Sequence, residues 1–279
     1  MTNQVYGLIG YPVKHSLSPL MHNAALAELR INAEYKLFPL KEEELGDFLK
    51  NAAGNNICGL NITVPYKEKV IPFLSNLSQE AKLIGAVNTV KVNNNKLEGF
   101  NTDGEGFIRH LKDLGFIATN KTIAIIGAGG AARAICVYLS RNNPKKILIY
   151  DIDKTRACGL IKHLQGNFSG TVFNSVDLVT DLNIQESDLL INASSNGMRE
   201  EDALLVEAKE INSKMLVYDL IYNPRQTKLL EMAQVQGARV SNGLGMLLYQ
   251  GVAAFELWTG KIAPVEVMRK ALNEGVKNL

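Results

Sequence analysis

Along this chain of 279 residues, short apolar runs bounded by Gly, Pro, Asn or Ser give way to longer segments with apolar positions at helical spacing. That alternation predicts strands and helices in turn. Val5–Gly10 reads as a buried strand, and Pro19–Arg30 as a helix with Ser18 at its N-cap and Pro19 in its first turn. Ala33–Pro39 is a second strand, and Glu42–Asn51 a helix whose acidic start suits the positive end of the dipole. Gly59–Thr63 is a third strand, with a helix opening at Pro65. After a break at Ser75–Gln79 and a short helix, Asn88–Val92 and Leu97–Asn101 pair as a hairpin across Asn93–Lys96. Thr102 and Glu105 then form a capping box that starts a helix running to about Leu114.

The second half repeats the grammar: strand 122–127, helix 130–142, strand 146–150, helix 154–164. Shorter strands follow near Thr171–Asn174, Leu189–Asn192 and Leu216–Asp219, with a helix at Thr227–Gln236. Two further helices, Gly245–Thr259 and Pro264–Gly275, end the sequence. The pattern predicts an α/β fold with mostly parallel sheets, and the length suits two domains, each with its own core.

Composition narrows the partners. The chain is 46% hydrophobic and 21% charged with a net charge of +2, which gives no ground for a nucleic-acid or membrane-surface partner. The start, MTNQVYGLIGYPV, lacks the basic and long apolar regions of a signal peptide, and no stretch approaches the ~18 apolar residues of a membrane span. Cys58, Cys136 and Cys158 stand apart, match no metal spacing, and suit a reducing cytoplasm as small core residues. No metal is therefore expected.

The most specific local signal is GAGGAAR at Gly127–Arg133, between a strand and a helix. Gly127 permits a tight turn, Gly129 lets backbone approach a pyrophosphate, and Ala132 lets helix and strand pack closely. Amides at the helix start would receive the pyrophosphate. Asp151 ends the next strand about 20 residues on, where an acid accepts hydrogen bonds from the adenosine ribose. Strand, turn, helix, strand and acid in order predict a dinucleotide site.

Four polar clusters lie at or beyond the C-terminal ends of strands in the first half, where open α/β sheets place ligands. GYPVKHSLSP carries Ser16 and Ser18 just before a helix; the pair suits a carboxylate, and Ser18 also suits a simple cap. NITVPYK carries Asn61, Thr63 and Lys67. A lysine beginning a helix opposes the dipole, so either it is an ordinary solvated lysine or a carboxylate offsets it. GAVNT supplies Asn88, and GFNTDGEGF supplies Asn101 and Asp103. Asp103 reads as a first-turn acid or, paired with Lys67, as half of a proton-transfer couple. Spacing alone does not show that the two meet.

Taken in order, GYPVKHSLSPLMHN, NITVPYK, GAVNT, NTD, GAGGAAR, DLIYNP and NGLGMLLYQG resemble the shikimate dehydrogenase family over essentially the whole chain. The resemblance implies an NADP- or NAD-dependent oxidoreductase interconverting 3-dehydroshikimate and shikimate on the route to aromatic amino acids. It implies a substrate-binding catalytic domain over 1–102 and 242–279, a Rossmann-type dinucleotide-binding domain over 103–241, and a cleft between them. Ser16 and Ser18 would bind the substrate carboxylate, and Thr63, Asn88 and Asp103 its ring hydroxyls. Lys67 would be the catalytic acid/base with Asp103 as its partner, and Tyr222 and Gln250 would complete the substrate site. Gly127, Ala128, Gly129, Gly130 and Ala131 match the pyrophosphate turn, and Leu220 and Gly243 fall where family backbone approaches the nicotinamide. Without the resemblance, Tyr222 and Gln250 read as a packing aromatic and a solvated helix residue.

One stretch departs from the family pattern. NADP-dependent members end the second nucleotide strand with Asn-Arg-Thr; here the residues are Asp151, Ile152 and Asp153. At ~4 Å and an effective dielectric of ~20, a carboxylate repels a phosphate charge by roughly 4 kcal/mol before screening. Lys154 and Arg156 soften this without occupying the arginine's position, so NAD is expected to be favoured over NADP, the family default. That expectation brings in quinate/shikimate dehydrogenases as the alternative, although two serines favour shikimate. A non-catalytic dinucleotide sensor would have little reason to keep Lys67 and Asp103. Ser194, where threonine is common, is a minor departure. A small-molecule substrate and a monomer or homodimer are expected.

Overall fold

The computed structural model describes residues 4–277; the outermost residues of the assigned first domain, 1–3 and 278–279, lie outside them. Close contacts divide the chain into two compact units. One holds the residues up to Gly106 and those from Leu247 onward; the other is Phe107–Met246.

In the first unit the elements are β1 (Gln4–Ile9), α1 (Ser18–Glu28), β2 (Ala33–Phe38), α2 (Glu42–Lys50), β3 (Ile57–Ile62), β4 (Asn76–Leu77), α3 (Gln79–Ile84), β5 (Thr89–Asn93) and β6 (Lys96–Phe100). The six strands run in the order β2-β1-β3-β5-β6-β4. β1 is parallel to β2 and β3, β5 is antiparallel to β3 and β6, and β4 is parallel to β6. The predicted hairpin is present: Asn94 and Asn95, both in the left-handed region at φ 48° and 61°, form the two-residue turn that asparagine tolerates best after glycine. α2 starts as its acids predict, with the Glu44 carboxylate accepting the Lys41 N–H at 2.7 Å beside Glu42 and Glu43. Ile9, Leu60, Ile62, Leu45, Leu49, Tyr66 and Val90 form a buried core.

Two local expectations fail here. Ser18 is the first helical residue of α1, and the N-cap is Leu17. No α-helix opens at Pro65: the stretch is a series of turns and a short 3₁₀ segment at Ile71–Phe73. Pro72 has no N–H for a helix interior, and the Tyr66 hydroxyl instead ties the segment down by donating to the Leu40 carbonyl at 2.7 Å.

α4 (Asp103–Asp113) and α8 (Leu244–Thr259) each contain a boundary between the units, and α9 (Val265–Val276) closes the chain. The second unit contains β7 (Thr122–Ile126), α5 (Gly130–Ser140), β8 (Lys146–Tyr150), α6 (Lys154–Asn167), β9 (Val172–Val176), β10 (Leu189–Asn192), β11 (Leu216–Asp219), α7 (Lys228–Val235) and β12 (Arg239–Ser241). All five pairings are parallel, in the order β12-β11-β10-β7-β8-β9. The central strands β7, β8, β10 and β11 read as apolar runs because successive residues, which point to opposite faces, are buried alike. Strand order reverses at β7, which lies between β8 and β10, and ligands bind beyond the carboxyl ends of strands at such a point. β12 was not anticipated, since Arg-Val-Ser offers a single apolar residue.

Candidate active site

Lys67 and Asp103 are remote in sequence, and the fold brings them together. Lys67 sits on the turn after β3, where its carbonyl accepts the Val87 N–H at 2.7 Å. Asp103 is the first residue of α4. Nζ of Lys67 donates to Oδ2 of Asp103 at 2.5 Å, with the side chains only 14% and 6% exposed. The dipole argument for Lys67 lapses, because no helix starts there; the carboxylate itself accounts for the lysine's position.

Asn88 holds the other side of Asp103. Its Nδ2 donates to Asp103 Oδ1 at 2.9 Å, to Thr102 Oγ1 at 2.9 Å and to Gln250 Oε1 at 3.4 Å. Its Oδ1 accepts the Thr102 N–H and the Thr89 hydroxyl, each at 2.8 Å. Asn61 adds bonds to the Asn88 carbonyl and to Thr89, each at 3.3 Å, and Asn101 Oδ1 accepts the Asp103 N–H at 3.0 Å. Every polar group in this buried cluster is placed by another, which is the condition for a rigid polar network. Gln250 reaches it because α4 and α8 approach closely at Gly106, where a Cβ would stand 2.5 Å from the Gln250 nitrogen.

Ser16 and Ser18 are paired where the loop beyond β1 enters α1, Ser16 Oγ donating to Ser18 Oγ at 3.2 Å. Thr63 follows β3, its N–H bonded to the Ile9 carbonyl at 2.9 Å and its methyl group filling the space a side chain at Gly10 would need. Both lie, as does Lys67, past the carboxyl ends of β1 and β3.

In the second unit the glycine turn joins β7 to α5. Gly127 has φ +107°, and a Cβ there would stand 2.8 Å from the Ala193 backbone. Gly129 differs: a Cβ would meet only the Arg156 guanidinium, at 3.6 Å. No protein neighbour demands glycine at Gly129, so the free space over the α5 N-terminus, with Gly130 and Ala131, fits a closely approaching pyrophosphate. Leu220 and Gly243 meet directly, since a Cβ on Gly243 would collide with the Leu220 carbonyl oxygen. Tyr222, two residues beyond Leu220, is half-buried. Among the described residues no cluster suited to a metal ion occurs, and no helix is long and apolar enough to cross a membrane.

Several residues escaped sequence reasoning. Asp219 ends β11 fully buried and His22 on α1 is 1% exposed with neither ring nitrogen hydrogen-bonded. Thr89 serves the Asn88 network, as does Thr102, which the sequence offered only as the start of a helix. An acid ending an apolar strand is a signal for Asp219, but sequence does not tell a buried carboxylate from an exposed one.

Comparison with known proteins covers most of the chain. Residues 8–90 match the shikimate dehydrogenase substrate binding domain, residues 112–242 the shikimate / quinate 5-dehydrogenase domain, and residues 243–272 the shikimate 5′-dehydrogenase C-terminal domain. The chain is 44% identical over 279 residues to a shikimate dehydrogenase (NADP(+)) of Methanopyrus kandleri, covering 98% of this chain and 96% of that one. A crystal structure of a shikimate dehydrogenase in complex with NADP+ superposes with a TM-score of 0.89 at 38% identity, covering 98% and 96%. A shikimate 5-dehydrogenase of Listeria monocytogenes, solved with shikimate and NAD, gives 0.87 at 36% identity over 97% and 96%.

These relatives correct the cofactor expectation. NAD was expected over NADP from Asp151 and Asp153, yet the curated relatives are named for NADP(+) and a closely superposing structure holds NADP+. The structure supplies the reason. Asp151 turns its carboxylate to backbone donors, Oδ2 accepting the Ala128 N–H at 2.6 Å and Oδ1 the Asp153 N–H at 2.8 Å. Asp153 caps α6 by accepting from Thr155 and Arg156 at 2.9 and 3.2 Å. Both acids are thus engaged in holding the turn, and the Arg156 guanidinium lies beside Gly129, where it sets a positive charge against the repulsion.

Proposed function

The chain belongs to the shikimate dehydrogenase family, and from that membership we propose that it interconverts 3-dehydroshikimate and shikimate with NADP, as an oxidoreductase of aromatic amino acid biosynthesis. One observation carries the chemistry: a lysine and an aspartate in contact, little exposed, with the aspartate fixed by Asn88. Asp103 offsets the charge of Lys67 and holds its Nζ in one place, which leaves the remaining N–H groups of the ammonium for a substrate oxygen.

When bound, the nicotinamide supplies the hydride acceptor in one direction and the hydride donor in the other. The protein handles the proton. In reduction Lys67 Nζ gives its proton to the oxygen of the former carbonyl, and its positive charge stabilises the alkoxide as it develops. In oxidation the same Nζ takes the proton back from the hydroxyl. Ser16 and Ser18 are assigned to the substrate carboxylate, and Thr63, Asn88 and Asp103 to its hydroxyls, with Tyr222 and Gln250 as further substrate residues. Gly127, Ala128, Gly129, Gly130 and Ala131 would hold the pyrophosphate; Asp151 steadies the turn, Arg156 provides a cation for the phosphates, and Leu220 and Gly243 lie at the nicotinamide half. A reducing compartment such as the cytoplasm suits the three free cysteines.

The test is an initial-rate assay of shikimate oxidation with NADP, run beside quinate. Shikimate-dependent reduction of NADP supports the assignment. Turnover of quinate alone would reassign the substrate, and turnover of neither would reject the reading.

A further inference from the structure

β11 delivers Asp219 into the interior of the second unit, where the residue is 0% exposed. Its carboxylate has only donors around it. Oδ1 accepts Asn192 Nδ2 and the Ile221 N–H, both at 3.0 Å, and Oδ2 accepts the Thr227 hydroxyl at 2.7 Å. Burial pushes its pKa up, while the bonds from Thr227, Ile221 and Asn192 favour the charged form. A buried carboxylate is expensive unless its oxygens are satisfied, and these three bonds meet that condition.

The three donors come from the end of β10 and from two points along the connection between β11 and α7. Asn192 ends β10, and its own Oδ1 accepts the Ser194 hydroxyl at 2.7 Å, ordering the loop whose backbone packs on Gly127. Thr227 caps α7, accepting the Leu230 N–H at 3.3 Å. The Ile221 amide folds the chain back on Asp219 so that Leu220 becomes the apex of a tight turn. The Leu220 carbonyl is thereby pressed against Gly243, whose N–H donates to the Ile221 carbonyl at 3.2 Å.

We propose that Asp219 is a positioning residue: it touches no ligand, but fixes Leu220 and Tyr222 for the nicotinamide and substrate and so governs turnover rather than capture of the adenine half of NADP. This rests on the assigned reaction. Asp219→Asn keeps the size and removes the charge; Thr227→Val removes one donor and Thr227→Ser restores it.

Four quantities are measured for each protein: kcat with shikimate and NADP, the Kd of 2′,5′-ADP, thermal stability, and amide hydrogen exchange at residues 220–222. Asp219→Asn is expected to lower kcat at least tenfold while the Kd for 2′,5′-ADP stays within about twofold, and to speed exchange at Ile221 and Tyr222. Thr227→Ser should keep more activity than Thr227→Val. An unchanged kcat, or a loss of 2′,5′-ADP affinity equal to the loss of kcat, would overturn the proposal. If Asp219→Asn does not fold, the Thr227 pair decides alone, equal activity of the two overturning it. If the unaltered protein turns over no shikimate, the assigned reaction fails; exchange at Ile221 no faster in Asp219→Asn would then count separately against the anchor.

Discussion

Lys67 and Asp103 face each other at 2.5 Å with both side chains little exposed, the arrangement to which proton transfer is assigned. Lys67→Ala should lower kcat by about 10²–10⁴-fold, the usual contribution of a positioned acid/base, while shikimate still binds through its other contacts. Steady-state kinetics with a separate binding titration checks this; undiminished turnover would remove Lys67 from the mechanism. His22 makes an independent prediction. Burial pushes its pKa down to about 3 from 6.5, so the folded protein holds it neutral while the unfolded chain protonates it. Between those values the unfolded state binds more protons, and stability therefore falls as pH drops below 6.5. The slope is at most about 1.4 kcal/mol per pH unit. His22→Phe retains a ring stacked on Tyr35, now 4.4 Å away, and removes the titration. Urea unfolding at pH 7 and pH 5 should show the unaltered protein losing up to about 2 kcal/mol more than the variant over that interval; equal losses would contradict it.

At the scale of elements, the two glycines of the nucleotide turn separate structure from binding. Gly127 is required by its own fold, with φ +107° and the Ala193 backbone 2.8 Å from any Cβ, so Gly127→Ala should lose about 1–3 kcal/mol of stability. Gly129 has room, so Gly129→Ala should change stability by no more than about 0.5 kcal/mol and instead raise KM for NADP. Urea unfolding and cofactor kinetics on both variants decide the point; equal stability losses would dismiss the distinction. The same contrast explains what the sequence made legible. Strands such as β8, β10 and β11 carry an unbroken apolar run of at least three residues and so announced themselves, as did the asparagine turn at Asn94 and Asn95. The region after Pro65 did not, because the helix expected to open there was overridden by Pro72 and by the tertiary anchoring of Tyr66. β12 is recruited by its neighbour β11, a long-range pairing that three residues cannot announce. Asp151 was read as a ribose acceptor and as a charge against the 2′-phosphate, although its oxygens accept the Ala128 and Asp153 amides.

The whole molecule distributes the work between its units. The first holds the polar network and Lys67, the second the parallel sheet with its glycine turn, and both α4 and α8 contribute residues to each. A cofactor that binds only the folded second unit must stabilise it by mass action, by about 2.7 kcal/mol at one hundred times Kd. Thermal unfolding with increasing NADP should accordingly show a rising midpoint for the second unit, and an unmoved midpoint would place the cofactor elsewhere. The most direct measurement remains shikimate-dependent reduction of NADP, followed in parallel for the unaltered protein and Lys67→Ala. Turnover is expected in the first and a loss of at least about a hundredfold in the second; no turnover in the first, or equal turnover in both, would contradict proton transfer at Lys67.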